Sequence, residues 1–192
     1  MKIFFDCEFT GLHQHTTLVS LGCVAENGEQ FYAESRDYDH DQVTPWIEEN
    51  VIKHLMLEDT YVASPHGVNL PVMTSQEGLW TIKGHNFQIT RFFELWIKTM
   101  NFGQIEMWGD VLAWDWVLFC ELFDMPANQD SAERLPRSIY YIPFDIATLM
   151  KIKDVNPDIS REELAGETAY VKHNALDDAR VVELCYKKLM EL

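Results

Sequence analysis

Ile3-Phe4-Phe5-Asp6-Cys7-Glu8-Phe9 sets two carboxylates among aromatic and branched residues near the start of the chain. Alternation in a run rich in Phe and Ile predicts a β-strand over 2–9. Side chains two apart in a strand share a face. Phe4, Asp6 and Glu8 therefore point one way, and Ile3, Phe5, Cys7 and Phe9 the other. The two acids stand about 7 Å apart along the strand, close enough to share one or two cations. A carboxylate facing a core costs several kcal/mol unless its charge is compensated. Taken alone, D-x-E is a common string, and two solvated acids on a strand leaving the core read equally well from it.

The same anomaly recurs twice. Asp115 interrupts the hydrophobic run 111–119. At helical spacing Leu112, Asp115, Leu118, Phe119 and Leu122 form one stripe, so a helix over 111–123 puts this acid on its apolar face. The alternative is an acid in the first turn that favours the helix dipole, a task for which Asp110 is better placed. In a closing helix over 174–192, Ala175, Asp178, Val182, Cys185 and Leu189 make an almost wholly apolar stripe. Asp177 shares its line with Val181, Leu184 and Lys188, a boundary position, so spacing favours Asp178 as the inward acid. His173 precedes this helix, where it can hang over a site built partly by Asp178, although a lone histidine is more often a surface or capping residue. Four acids from three segments point to one divalent-metal site.

With 192 residues, 47% of them hydrophobic, including six Trp and eleven Phe, the chain fits a single domain, 1–192, with a real core. That composition excludes wholesale disorder. A net charge of −16 excludes wrapping a long duplex by phosphate neutralisation. Any nucleic-acid partner is expected to be short, single-stranded or held through metal ions; an ordinary acidic, soluble protein explains the charge equally well. Cys7, Cys23, Cys120 and Cys185 lie in apolar segments without C-x-x-C spacing, which favours buried thiols in a reducing compartment over disulfides or zinc. No basic leader with a cleavage site and no span-length apolar stretch is evident, so a cytoplasmic location is expected.

Further strands are expected over 15–25 and 30–35, joined by an Asn27-Gly28 turn. Thr44-Pro45 starts a helix to about Leu57. Residues 63–84, with two Pro, three Gly and little periodicity, read as a surface insertion, with a small hairpin as one form for it. Then follow a helix over 86–100, a strand over 104–108, the helix over 111–123, a polar loop over 125–137, a strand-like piece over 139–142 and a helix over 144–151. Ser160 opens a capping box. A three-strand meander followed by alternating helices and strands predicts an α/β fold with a mixed sheet flanked by helices.

Asp6-Cys7-Glu8-Phe9-Thr10-Gly11, Trp108-Gly109-Asp110-Val111-Leu112-Ala113-Trp114-Asp115-Trp116 and His173-Asn174-Ala175-Leu176-Asp177-Asp178-Ala179 together carry a resemblance. The pattern resembles the DEDDh 3′–5′ exonucleases of the ribonuclease-H-like superfamily. Within them it is most similar to small bacterial and phage 3′–5′ exoribonucleases, including the mycobacterial polyadenylate-specific type. Where many members read D-x-E-T-T-G, Phe9 stands in place of the first Thr.

The resemblance implies a ribonuclease-H-like mixed sheet, an antiparallel three-strand meander plus parallel strands. It implies two Mg²⁺ ions, with Mn²⁺ as substitute, held by Asp6, Glu8, Asp115 and Asp178, and His173 as general base. The implied partner is the 3′ end of single-stranded RNA and the product a nucleoside monophosphate; DNA hydrolysed by the same mechanism, and an inactive nucleotide-binding module, are the alternatives. Phe9, Thr10, Gly11, Leu12 and Trp114 are candidates for holding the terminal nucleotide, and Arg180, Lys172 and Arg91 for reaching phosphates. Members are often homodimers, for which the aromatic-rich helix over 86–100 is a candidate interface, core packing being its other reading.

Overall fold

The computed structural model describes residues 1–59, 61–63, 69–101, 103–123, 135–166 and 169–192. Strands β1 (Lys2–Phe9), β2 (Leu18–Ala25) and β3 (Gln30–Ser35) form an antiparallel meander in which Asp6 lies opposite Gly22 and Glu8 opposite Ser20. Gly28 closes the β2–β3 turn at φ +92°, a left-handed conformation that costs glycine nothing. Strands β4 (Tyr61–Ala63) and β5 (Asn69–Pro71) pair only with each other. Strand β6 (Met73–Gln76) pairs antiparallel with β7 (Leu79–Gly84), and β7 runs parallel to β3. On the other side, β8 (Glu106–Gly109) runs parallel to β1, and β9 (Phe144–Asp145) parallel to β8. The seven strands lie in the order β6-β7-β3-β2-β1-β8-β9, a mixed sheet flanked by helices. The fold is α/β, as the element order predicts.

The helices are α1 (Pro45–Asn50), α2 (Asn86–Thr99), α3 (Asp115–Glu121), α4 (Ile146–Ile152), α5 (Arg161–Ala165) and α6 (Ala175–Glu191). Ile3, Phe5 and Cys7 face a large core with Phe93 and Trp96 of α2 and Leu118 and Phe119 of α3. Phe4 faces the opposite way, onto Val181, Val182 and Cys185 of α6 and Met150 of α4. The period-two reading of the first strand therefore holds, and Asp6 and Glu8 share the α6 side. Burying a side chain such as Phe5 stabilises this arrangement by about 1.5–3 kcal/mol. Among the described residues, no helix is long and apolar enough to cross a membrane.

Several boundaries differ from expectation for identifiable reasons. The helix expected over 111–123 begins only at Asp115, because Val111 adopts φ +49° and its N–H donates to Asp145 Oδ1 at 2.8 Å. A left-handed β-branched residue cannot continue a helix. The helix expected from Thr44-Pro45 is capped by Thr44 but ends at Asn50, followed by a 3₁₀ turn over Ile52–His54. In the stretch expected as an insertion, 79–84 is a strand of the main sheet with Ile82 fully buried. The piece expected over 139–142 makes a single bridge, Ile139 to Ile105. Most of the loop expected over 125–137 lies outside the described residues. Of the aromatic residues of α2, Phe92, Phe93 and Trp96 are spent on the core, while Phe87 is 60% exposed.

The first turn of α6 lies unusually close to the sheet. A Cβ built on Gly22 would stand 2.2 Å from the carbonyl carbon and oxygen of Ala175 and 2.4 Å from Leu176 N. Only glycine permits that approach, and Gly22 is the residue paired with Asp6. Replacing Gly22 by Ala should destabilise the protein by about 1–3 kcal/mol in urea unfolding. Wild-type stability of that variant would show that the helix is not seated on Gly22.

Candidate active site

β1 and β8 pair only as far as Phe4 and Trp108, after which β1 runs on to Phe9 without that neighbour. A crevice opens where the carboxyl ends of two parallel strands part, the usual ligand position in α/β sheets. All four acids singled out from the sequence converge there. Asp6 and Glu8 come from β1. Asp115 comes from the first turn of α3, where its Oδ1 accepts the Cys7 N–H at 3.0 Å, a strand-edge donor that β8 no longer reaches. Asp178 comes from the first turn of α6, which Asn174 caps through Leu176 N and Asp177 N. The His173 N–H donates to Asp178 Oδ2 at 2.9 Å, turning the histidine over the same acid. Glu8, His173 and Asp178 offer ligand atoms that all lie within 4.8 Å of one another.

Crowding these acids raises their proton affinities. Burial pushes Asp6 well above the usual carboxylate range, reinforced by the charges of Asp115, Glu8, Asp178 and Asp110. Glu8 is pushed up to about 8 by burial, then by Asp178 and Asp115, and by a hydrogen bond to Asp178. Asp178 reaches about 7 and Asp115 about 6, again mainly by burial, the backbone N–H of His173 and of Cys7 respectively pulling the other way. His173 is held below its ordinary value by burial first, then by the nearby Lys172 and His54, so it is neutral and able to accept a proton near pH 7. The two cations that line the cleft among the described residues are engaged elsewhere. Arg161 grips both oxygens of Asp110 at 2.7 and 3.0 Å, and Lys172 pairs with Glu162 at 3.1 Å. The four carboxylates make a hard oxygen donor set of the kind divalent cations take.

The cleft has two lobes that meet at Asp6, Asp178 and His173. One, about 360 Å³, is walled by Phe9, Leu12, Val111 and Trp114. The other, about 280 Å³, runs past Ser160, Arg161 and Lys172. A bulge after Glu8 shifts the register, and Phe9, expected on the far face, lines the cleft while still packing on the core. Leu12 is 75% exposed at the rim, and Trp114 is anchored by its indole N–H to the His13 carbonyl. Thr10 and Gly11 do not line the cleft. The Thr10 hydroxyl is buried, donating to Gln42 Oε1 at 2.5 Å and accepting from Thr17 N, so these two residues build the turn that presents Leu12. Of the three basic candidates only Lys172 lines the cleft; Arg180 is tied to Asp177 and Gln30, and Arg91 lies on the exposed face of α2 beside Glu94.

Two readings require correction. Asp110, expected to serve the start of α3, is instead the partner of Arg161, and Asp115, expected within a helix from 111, is the first residue of α3. Asp115 still points inward because the turn at Val111 swings the start of α3 over the end of β1. Trp46 escaped notice altogether: it lies edge-on to His173 with ring centroids 5.3 Å apart, yet a tryptophan after a helix-starting proline carries no signal of a site.

No family model matches the sequence. Two curated relatives, from the CDC 1551 and H37Rv strains of Mycobacterium tuberculosis, are each 29% identical to the chain over 140 residues. The alignment covers 72% of this chain and 71% of each relative. Both are named 3′–5′ exoribonuclease.

Carboxyls whose folded pKa is raised bind more protons in the folded state than in the unfolded one. Their stabilising effect is present below the unfolded pKa and is lost as pH rises through the folded values, here about 6 to 8. In EDTA the melting temperature should therefore fall between pH 5 and pH 8.5, and saturating Mg²⁺ should shrink that fall. A flat profile in EDTA would contradict the crowding of these acids.

Proposed function

We propose that this protein is a metal-dependent 3′–5′ exoribonuclease of the DEDDh type on a ribonuclease-H-like domain spanning 1–192. The observation that carries the reading is the meeting of Asp6, Glu8, Asp115, Asp178 and His173 at one cleft, in acids whose proton affinities rise through burial first and neighbouring negative charge second. The names of the two mycobacterial relatives supply the polarity and the RNA preference. Two Mg²⁺ ions fit the oxygen-rich donor set, and Asp6, Glu8, Asp115 and Asp178 would hold them. Bound there, such ions acidify the attacking water and neutralise charge on the departing 3′-oxygen.

The chain's own residues do the rest. His173, neutral and beside Glu8 and Asp178, accepts a proton from the water as its oxygen attacks the terminal phosphorus. The bond from phosphorus to the 3′-oxygen breaks, a proton returns to that oxygen, and a nucleoside 5′-monophosphate leaves. Phe9, Leu12 and Trp114 offer apolar and aromatic surface to the terminal base, which every base can use regardless of sequence. With a net charge of −16, the protein gains little from phosphate neutralisation across its surface, which fits a short single strand held at its end. The cytoplasmic location and a homodimeric state belong to the same reading.

Incubating the protein with 5′-labelled single-stranded RNA and DNA in Mg²⁺, Mn²⁺ or EDTA tests it. Shortening from the 3′ end, faster on RNA and abolished by EDTA, by Asp6→Ala and by Asp115→Ala, is expected. Replacing His173 by Ala should lower kcat about 10²–10⁴-fold while leaving Mg²⁺ affinity much less changed. Undiminished activity in both aspartate variants would refute the site.

A further inference from the structure

His173 is held at φ +61°. A non-glycine residue keeps that conformation only where its surroundings over-determine it. One residue contacts the chain on both sides of it. His54, closing the 3₁₀ turn, has Nδ1 2.9 Å from the carbonyl oxygen of Lys172, and its own carbonyl oxygen accepts from Asn174 Nδ2 at 3.0 Å. A carbonyl can only accept, so Nδ1 carries the proton in this contact. Asn174 also caps α6 through its side-chain oxygen, so the same clamp bears on the turn that delivers Asp178.

The clamp is itself rigidly based. Before it, Ile47 and Val51 pack on Val19 of β2. After it, the N–H groups of Met56 and Leu57 both donate to Glu34 Oε1, at 2.6 and 2.8 Å. Glu34 is fully buried in β3, bonded by the Tyr32 hydroxyl and paired with Lys83 at 3.2 Å. A buried carboxylate with that many partners is costly to move. Hydrogen bonds and main chain thus run without a gap from the centre of the sheet to the backbone flanking His173.

We propose that His54 is a positioning residue: it fixes the backbone of 172–174 so that the His173 imidazole and the Asp178 carboxylate meet Glu8. The inference rests on the exonuclease reading above, in which His173 is the base. Neither composition nor spacing marks His54, which acts through the Lys172 carbonyl and the Asn174 side chain, both distant in sequence.

The test compares the full-length protein with His54→Leu, which removes the donor, and His54→Asn, whose Nδ2 overlays Nδ1. kcat and KM on single-stranded RNA in Mg²⁺ are measured beside hydrogen–deuterium exchange of amides 171–178 without substrate. His54→Leu should lower kcat on the order of ten- to a hundredfold with KM little changed, and should lose amide protection in 171–178. His54→Asn should recover most of both. Wild-type kcat and exchange in His54→Leu would overturn the proposal, as would an Asn variant no better than Leu. If His54→Leu does not fold, His54→Gln replaces it, because its amide overlays Nε2 instead; equal activity of the Gln and Asn variants would overturn the proposal. An inactive wild type would refute the exonuclease reading, and unchanged exchange in the Leu variant would then separately refute the clamp.

Discussion

The close seating of α6 on Gly22 is the constraint on which the site depends. Gly22 is the strand partner of Asp6, and the absent side chain lets the backbone of Ala175 and Leu176 settle directly over the sheet. Ala175, Leu176 and Ala179 then pack on Val24 and Tyr32, fixing the first turn of the helix. Asp178 projects from that turn toward Glu8, and His173 precedes it in a conformation that only neighbouring contacts hold. A helix standing one methyl group farther out would carry both residues away from β1.

Concentrating acids in this way works against stability. Each buried carboxyl gives up hydration, and each neighbour adds repulsion, so protons are retained at pH values where an ordinary carboxylate has lost them. Such groups cluster where chemistry needs them. The cations along the cleft relieve the crowding only in part: Lys172 lowers the proton affinity of Asp178, while Arg161 is bound to Asp110 and to the carbonyls of Pro157 and Ile159. Buried acids gathered in this way favour an added positive charge, in keeping with the proposed metal-dependent chemistry. The wider molecule offsets the cost with two well-filled cores, one on each face of the sheet.

Period-two and period-3.6 patterns reported faces faithfully. They put Asp6 and Glu8 on the side away from Phe5, and preferred Asp178 to Asp177, which turns out to bond Val171 N and Arg180. They misled where the backbone breaks its period. Val111 interrupts the helix expected from 111, so the stripe argument for Asp115 reached the right residue through a wrong geometry. Phe9 packs on the far-face core as alternation predicts, yet like Cys7 it also forms part of the cleft wall. Local propensity has no term for the turn at Val111, because it answers to a hydrogen bond with the distant Asp145.

From the sequence alone followed the α/β class, the strand carrying two inward acids and the identity of the five residues that meet at the cleft, since hydrophobic periodicity records which side chains a core excludes or accepts. Tertiary structure decided what no local pattern encodes. It brought α6 within reach of Asp6 through the gap at Gly22, tied Asp110 to Arg161 across fifty-one positions, and set Trp46 and His54 against the loop of His173. Those contacts join segments far apart in the chain, and their energies depend on distances that exist only once the sheet has formed.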